Sequence, residues 1–134
     1  MIRYMIFGAV SLACVQSTQA AVVNLTGMHQ QFVTKACASN ADPCIIDFAK
    51  ILAGKQIVIR RLFCHGNLNN FVFETATSTG VITGRTPINN TGGSDSLGEL
   101  MHIADSTHVM RVKASNPSPT LVAASCMLVG EFLK

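Results

Sequence analysis

The sequence predicts an all-β protein: a single antiparallel β-sandwich or jelly roll of about seven or eight strands, stabilised by disulfides. Three observations carry this. Runs rich in Val, Ile, Phe and Thr recur about every ten residues, separated by Gly, Asn, Ser and Pro turn signals. No stretch has the spacing of a convincing amphipathic helix. Five cysteines occur, one in an apolar N-terminal leader, and the remaining even number reads as a disulfide framework in a short exported chain.

The chain of 134 residues has the size of one domain, and 49% hydrophobic content is ample for a packed core. Charged residues make up 13%, about half the usual share of ~25%, so much of the surface must be Ser, Thr, Asn and Gly. The formal charge of +3 is small and, apart from Arg60-Arg61, the basic residues are dispersed, which excludes a nucleic-acid groove.

Residues 1–20 have the layout of a signal peptide: Arg3 near the start, an apolar segment from Tyr4 to Val15, then polar Gln16-Ser17-Thr18-Gln19. The apolar segment is short of the ~20 residues that span a bilayer. Small residues at Thr18 and Ala20 place cleavage before Ala21, leaving one domain over 21–134, secreted or periplasmic, with no transmembrane segment in the mature chain. The minority alternative is lipidation at Cys14, since Ser11-Leu12-Ala13-Cys14 is a degenerate lipobox with Ser11 in place of the usual Leu.

Along the mature chain, Ala21 to Met28 reads as an edge strand or N-terminal arm, and Gln31 to Lys35 leads into Cys37. Ala38 to Pro43 is a turn-forming run, and Ile45 to Leu52 is ambiguous by period but favours strand. Lys55 to Cys64, β-branched and apolar behind Gly54, is the central strand. Residues 65–70 form a loop. Phe71 to Thr77 alternates as a strand, and Val81 to Ile88 is an edge strand limited by Pro87. Residues 89–96, polar with two glycines, read as the longest and most mobile loop. Leu97 to Ala104 and His108 to Ala114 look like a hairpin turning at Asp105, and Thr120 to Leu133 is the last strand.

Cys37, Cys44, Cys64 and Cys126 allow three connectivities. We expect Cys37–Cys44 and Cys64–Cys126. The first pair flanks one turn and the second lies in two apolar strands. Any mixed pairing would drag Ser39, Asn40 and Asp42 towards the core, where unpaired polar groups are costly.

Ala53-Gly54-Lys55-Gln56-Ile57-Val58-Ile59, running on to Cys64, together with Ala124-Ser125-Cys126 to Leu133, resembles a pattern in small exported bacterial β-sandwich proteins of uncharacterised function. Those carry a Pro-Ala-Gly-Lys turn and close on a Ser-Gly-Tyr-Leu-like strand. This chain has Leu52 for the Pro and Phe132 for the Tyr. The resemblance implies a fold and a secreted bacterial setting, and it transfers no functional residue. An immunoglobulin reading fails because the chain has no Trp and places Ala124 where a tyrosine corner needs Tyr.

No constellation points to catalysis, a cofactor or a metal. His102 and His108 lack completing ligands, and the cysteines have no Cys-x-x-Cys spacing. Asn89, Asn90, Ser94, Asp95 and Glu99 offer too little charge for a strong calcium site. Serines lack a nucleophile-elbow context, and paired acids are undecidable from sequence spacing. Of the adjacent Arg60 and Arg61, one is expected to turn inward and lay its stem over the core edge, the alternative being that it binds an anion or carboxylate.

The expectation is therefore an exported, non-enzymatic binding or interaction module with an unidentified ligand. Its contacts would lie on His65, Asn67, Asn69, Asn70, Asn89, Asn90 and Asp95, and a cell-envelope polymer or a protein would be the partner. The alternatives are a structural subunit assembling through its N-terminal strand, residues 21–33, and less favoured, a small secreted hydrolase.

Overall fold

The computed structural model describes residues 19–25, 27–92 and 95–134. Cys14, Ser94 and the signal-peptide reading up to residue 18 lie outside these residues. Ten strands occur among them, joined only by turns and irregular segments: β1 (Gln19–Leu25), β2 (Met28–Cys37), β3 (Cys44–Asp47), β4 (Gln56–His65), β5 (Asn69–Thr77), β6 (Ile82–Pro87), β7 (Asn89–Gly92), β8 (Asp95–Asp105), β9 (His108–Ser115) and β10 (Val122–Phe132).

They form two sheets in which every pairing is antiparallel. The six-stranded sheet runs β1-β2-β10-β4-β8-β7 and the four-stranded sheet β3-β9-β5-β6. One apolar cluster draws on both: Val33, Ile59, Leu62 and Leu128 from the first, Ile46, Phe73, Met110 and Val112 from the second. The strand alternation explains it. In β9 and β10 every second residue is buried, so each strand gives one face to the core and one to solvent.

Three expectations are corrected. Leu97 to Ala104 and His108 to Ala114 are consecutive but do not pair. β8 lies between β4 and β7, whereas β9 lies between β3 and β5, so the turn at Asp105 carries the chain from one sheet to the other. Two alternating runs around a short polar turn cannot distinguish a hairpin from such a corner. Residues 89–96 are not one loop: Asn89 pairs with Leu97 and Asn90 with Ser96, which makes β7 an edge strand. The expected strand over 45–52 ends at Asp47, and Phe48 and Ile51 continue as irregular chain that is still buried.

The disulfides join Cys37 to Cys44 and Cys64 to Cys126. Cys64 and Cys126 stand directly opposite in neighbouring strands of one sheet. Cys37 ends β2 and Cys44 begins β3, so the short bridge ties the two sheets together. Asn116, 1% exposed, locks the same corner: its amide donates to the carbonyls of Ala38 (2.8 Å), Thr120 (3.1 Å) and Cys37 (3.2 Å), while its Oδ1 accepts from the Ser118 N–H.

Candidate binding surfaces

Register decides which side chains share the solvent face of the six-stranded sheet. Phe32 stands opposite Met127, Met127 opposite Phe63, and Phe63 opposite Leu97. These four form an apolar row across β2, β10, β4 and β8. Phe32 is 45%, Phe63 39% and Leu97 43% exposed. With neighbouring strands ~4.8 Å apart, the two phenyl rings are held roughly 10 Å apart by Met127 between them.

The row has a polar neighbour on one side. Thr34 lies opposite Ser125, Ser125 opposite His65, and His65 opposite Asp95. Thr34 and Ser125 hydroxyls are 3.0 Å apart, and His65 Nδ1 is 2.6 Å from Asp95 Oδ1. On the other side run Gln30, Val129, Arg61 and Glu99.

Arg60 accounts for the basin beyond. β4 must bury Ile57 and Ile59 as well as Leu62 and Cys64, which are of opposite parity, and a regular strand cannot place odd and even positions on one face. The register jumps from Ile59 to Arg61 against both neighbours, with Arg60 as the extra residue against β10. Both arginines are thereby exposed, correcting the expectation that one of them turns inward with its stem over the core edge. Arg60 pairs with Glu131 at 3.4 Å, and with Arg61, Met28, Met101 and Val129 it borders an open basin of about 690 Å³.

A second polar centre lies on the solvent face of the four-stranded sheet. Glu74 in β5 stands opposite Arg85 in β6 and Arg111 in β9, with Lys113 two residues further along β9, opposite Val72. Arg111 Nε and Lys113 Nζ approach Glu74 Oε2 at 3.1 and 3.2 Å, and Arg85 Nε approaches Oε1 at 3.4 Å. The carboxylate is 1% exposed beneath them. Burial alone would raise its pKa, but hydrogen bonds from Lys113 and Arg111, and their charges, outweigh this and hold it below the ordinary value.

Of the loop residues expected to bind ligand, the structure brings His65 and Asp95 together at the polar end of the apolar row. Asn67 lies in the bend after β4, and Asn89 opposes Leu97 at the sheet edge. Only the backbone of Asn90 is described. Asn69 and Asn70 belong to the other sheet, where Asn70 borders a groove with Arg85 and Lys113. His102 and His108 do not converge. His102 Nε2 is 2.7 Å from Thr86 Oγ1 and its ring packs edge-on to Phe73, while His108 Nδ1 lies 2.9 Å from Asp105 Oδ1. Hydrogen bonds from Thr107, then from His108, lower Asp105 to about 2. Among the described residues no group of three or more His, Cys, Asp or Glu side chains is placed to hold a metal.

Sequence reasoning missed Phe32, Phe63 and Met127 as one surface, and Glu74 with its three cations. Alternation marks each as facing one side of its strand, but only register reveals the cross-strand sets.

No protein-family model matches the chain, and no curated protein matches it. Among solved structures it is similar to the arabinose-bound MgGH51 α-L-arabinofuranosidase, with 10% identity and a TM-score of 0.43 over 91% of this chain and 24% of that one. The chain thus spans about a quarter of that enzyme's length.

Proposed function

We propose that the protein is an exported, non-enzymatic binding module that holds an extended polymer, of the polysaccharide class, along the row Phe32–Met127–Phe63–Leu97. Export rests on the leader pattern of residues 1–20, and the two disulfides suit an oxidising compartment. The two sheets are taken to face each other as a jelly roll. The chain alternates between them at β2, β3, β4 and β5 and again at β8, β9 and β10, the pattern produced when a long antiparallel ribbon folds over itself.

The observation that carries the binding reading is the exposed apolar row bordered by hydroxyl, imidazole and carboxylate groups. Sugar rings have apolar faces and hydroxylated edges. Two phenyl rings held a fixed distance apart on one sheet face can stack on alternate units of a chain, while Thr34, Ser125, His65 and Asp95 meet its hydroxyls. Affinity electrophoresis and pull-down against a panel of soluble and insoluble polysaccharides test this. Retardation by at least one polymer, weakened about tenfold or more in Phe63→Ala and Phe32→Ala, is expected. Retardation that both variants retain would remove the row from the site, and no retardation by any polymer of the panel would remove the function.

One observation favours the assembly reading. Three sheet edges carry devices that discourage strand addition: β3 has four residues and Asp47, β6 has Arg85, Pro87 and an irregular register, and β7 has four residues and a register shift. β1 carries none of these. It is uncharged and regularly paired to β2, and Val22 and Val23, on opposite faces, are 44% and 46% exposed. Cleavage after Ala20 would leave Ala21–Leu25 in place. The assembly reading expects a concentration-dependent oligomer on size-exclusion chromatography that Val23→Lys converts to monomer, and a wild-type monomer at high concentration would exclude it.

A further inference from the structure

Three cations gather on one carboxylate, Glu74, and two of them border a groove that also carries the carboxylate of Asp42. Two of them, Arg111 and Lys113, converge on Oε2, whereas Oε1 is buried and accepts no hydrogen bond despite Arg85 at 3.4 Å. Arg85 is thus held to Glu74 by charge and not by a hydrogen bond. The side chains differ in access: Arg111 is 24%, Lys113 29% and Arg85 60% exposed. Arg85 and Lys113 border a groove of about 360 Å³ together with Asn70, Val72, Ser115 and Asp42. Asp42 Oδ1 is engaged by the Ser115 hydroxyl at 2.8 Å, and Asp47, opposite Arg111 in β3, does not line the groove.

We propose that this groove binds the oxyanion group of a small ligand, a phosphate, sulfate or carboxylate, between Arg85 and Lys113. Glu74 acts as a positioning residue. It fixes the cations before the ligand arrives, so less side-chain freedom is lost on binding. Charge-assisted donors from a guanidinium and an ammonium suit an oxyanion, and the neighbouring Asn70 amide supplies a neutral donor group at the groove wall. The site lies on the sheet opposite the apolar row and its test is independent of polysaccharide binding.

The test is titration of the purified exported protein with sodium phosphate against sodium chloride at equal ionic strength, followed by thermal unfolding and by backbone amide NMR shifts. Sulfate and acetate are run as separate arms to distinguish tetrahedral from planar oxyanions. The expected result is a saturable rise in Tm with at least one oxyanion, with shifts concentrated at Asn70 and Ser115. Half-saturation should move at least tenfold higher in Arg85→Gln and in Lys113→Met. Arg61→Gln, on the other sheet, should leave it unchanged. Arg85 is mostly exposed, so its variant should fold, and the NMR spectrum confirms that. An oxyanion response no different from chloride, or one that survives in both groove variants or is lost equally in Arg61→Gln, would overturn the proposal.

Discussion

His29 and His102 illustrate how far a side chain's surroundings outweigh its type. Burial lowers the pKa of both rings. His29 sits between Asn24 Oδ1 at 2.5 Å and Gln31 Nε2 at 2.8 Å, and Gln31 in turn bridges the backbone of Ala49. His102 lies so close over Gly84 that a Cβ there would stand 2.2 Å from its Nδ1. In the unfolded chain each imidazole takes up a proton near pH 6.5, whereas the folded protein resists it, so the unfolded state binds more protons below that pH. Stability should therefore be level above about pH 7 and fall as pH drops through 6.5 towards the lowered folded values. One such group contributes a slope of at most about 1.4 kcal/mol per pH unit. Denaturant melts between pH 7.5 and 5.5 should show the decline, and His102→Gln, which can keep a hydrogen bond to Thr86, should make it shallower. An unchanged slope would mean that His102 is not one of the groups responsible.

The informative element is β4. Its sequence Gln56-Ile57-Val58-Ile59-Arg60-Arg61-Leu62-Phe63-Cys64-His65 reads as one strand, yet its two apolar halves are out of phase, and the extra residue Arg60 restores a common buried face. Gly130 faces this irregularity from β10, where a Cβ would stand 2.8 Å from the Val58 carbonyl oxygen. Deleting Arg60 should force either Ile57 and Ile59 or Leu62 and Cys64 out of the core. With each buried aliphatic side chain worth about 1.5–3 kcal/mol, expelling two costs roughly 3–6 kcal/mol, which reaches the lower end of the ~5–15 kcal/mol of a whole domain. The deletion should yield no cooperative thermal transition, whereas Arg60→Ala, which keeps the count, should fold with a Tm within a few degrees of wild type. A deletion variant that melted normally would show that the phase change is not required.

At the scale of the molecule, the two disulfides do different work. On the chain-entropy model the Cys37–Cys44 bridge contributes about 2.5 kcal/mol and the Cys64–Cys126 bridge about 4.3 kcal/mol. The long bridge also sits fully buried between the two central strands of the six-stranded sheet. Cys64→Ala with Cys126→Ala should impair folding at 37 °C, while Cys37→Ala with Cys44→Ala should lower the Tm and leave a folded protein, because the Asn116 hydrogen bonds still hold that corner. Circular dichroism melts of the two double variants decide it, and a greater loss from the short bridge would reverse the assignment.

The sequence by itself determined what depends on near neighbours. The strands expected from 71, 81 and 120 are marked by alternation or by β-rich apolar runs, the turns by Gly, Asn and Pro, and the two disulfide pairs by loop length and the polarity between cysteines. His65 and Asp95 read as loop residues in the sequence, but nothing in it places them 2.6 Å apart. Tertiary structure alone decided which sheet each strand joins, so that β8 and β9 part at Asp105 although they read as a hairpin. It also decided the cross-strand sets: Phe32 with Met127, Phe63 and Leu97, and Glu74 with Arg85, Arg111 and Lys113. The physical reason is that a strand's period fixes only the face a residue takes. Its neighbours on that face are set by register with strands distant in the chain, and register answers to the packing of the whole core.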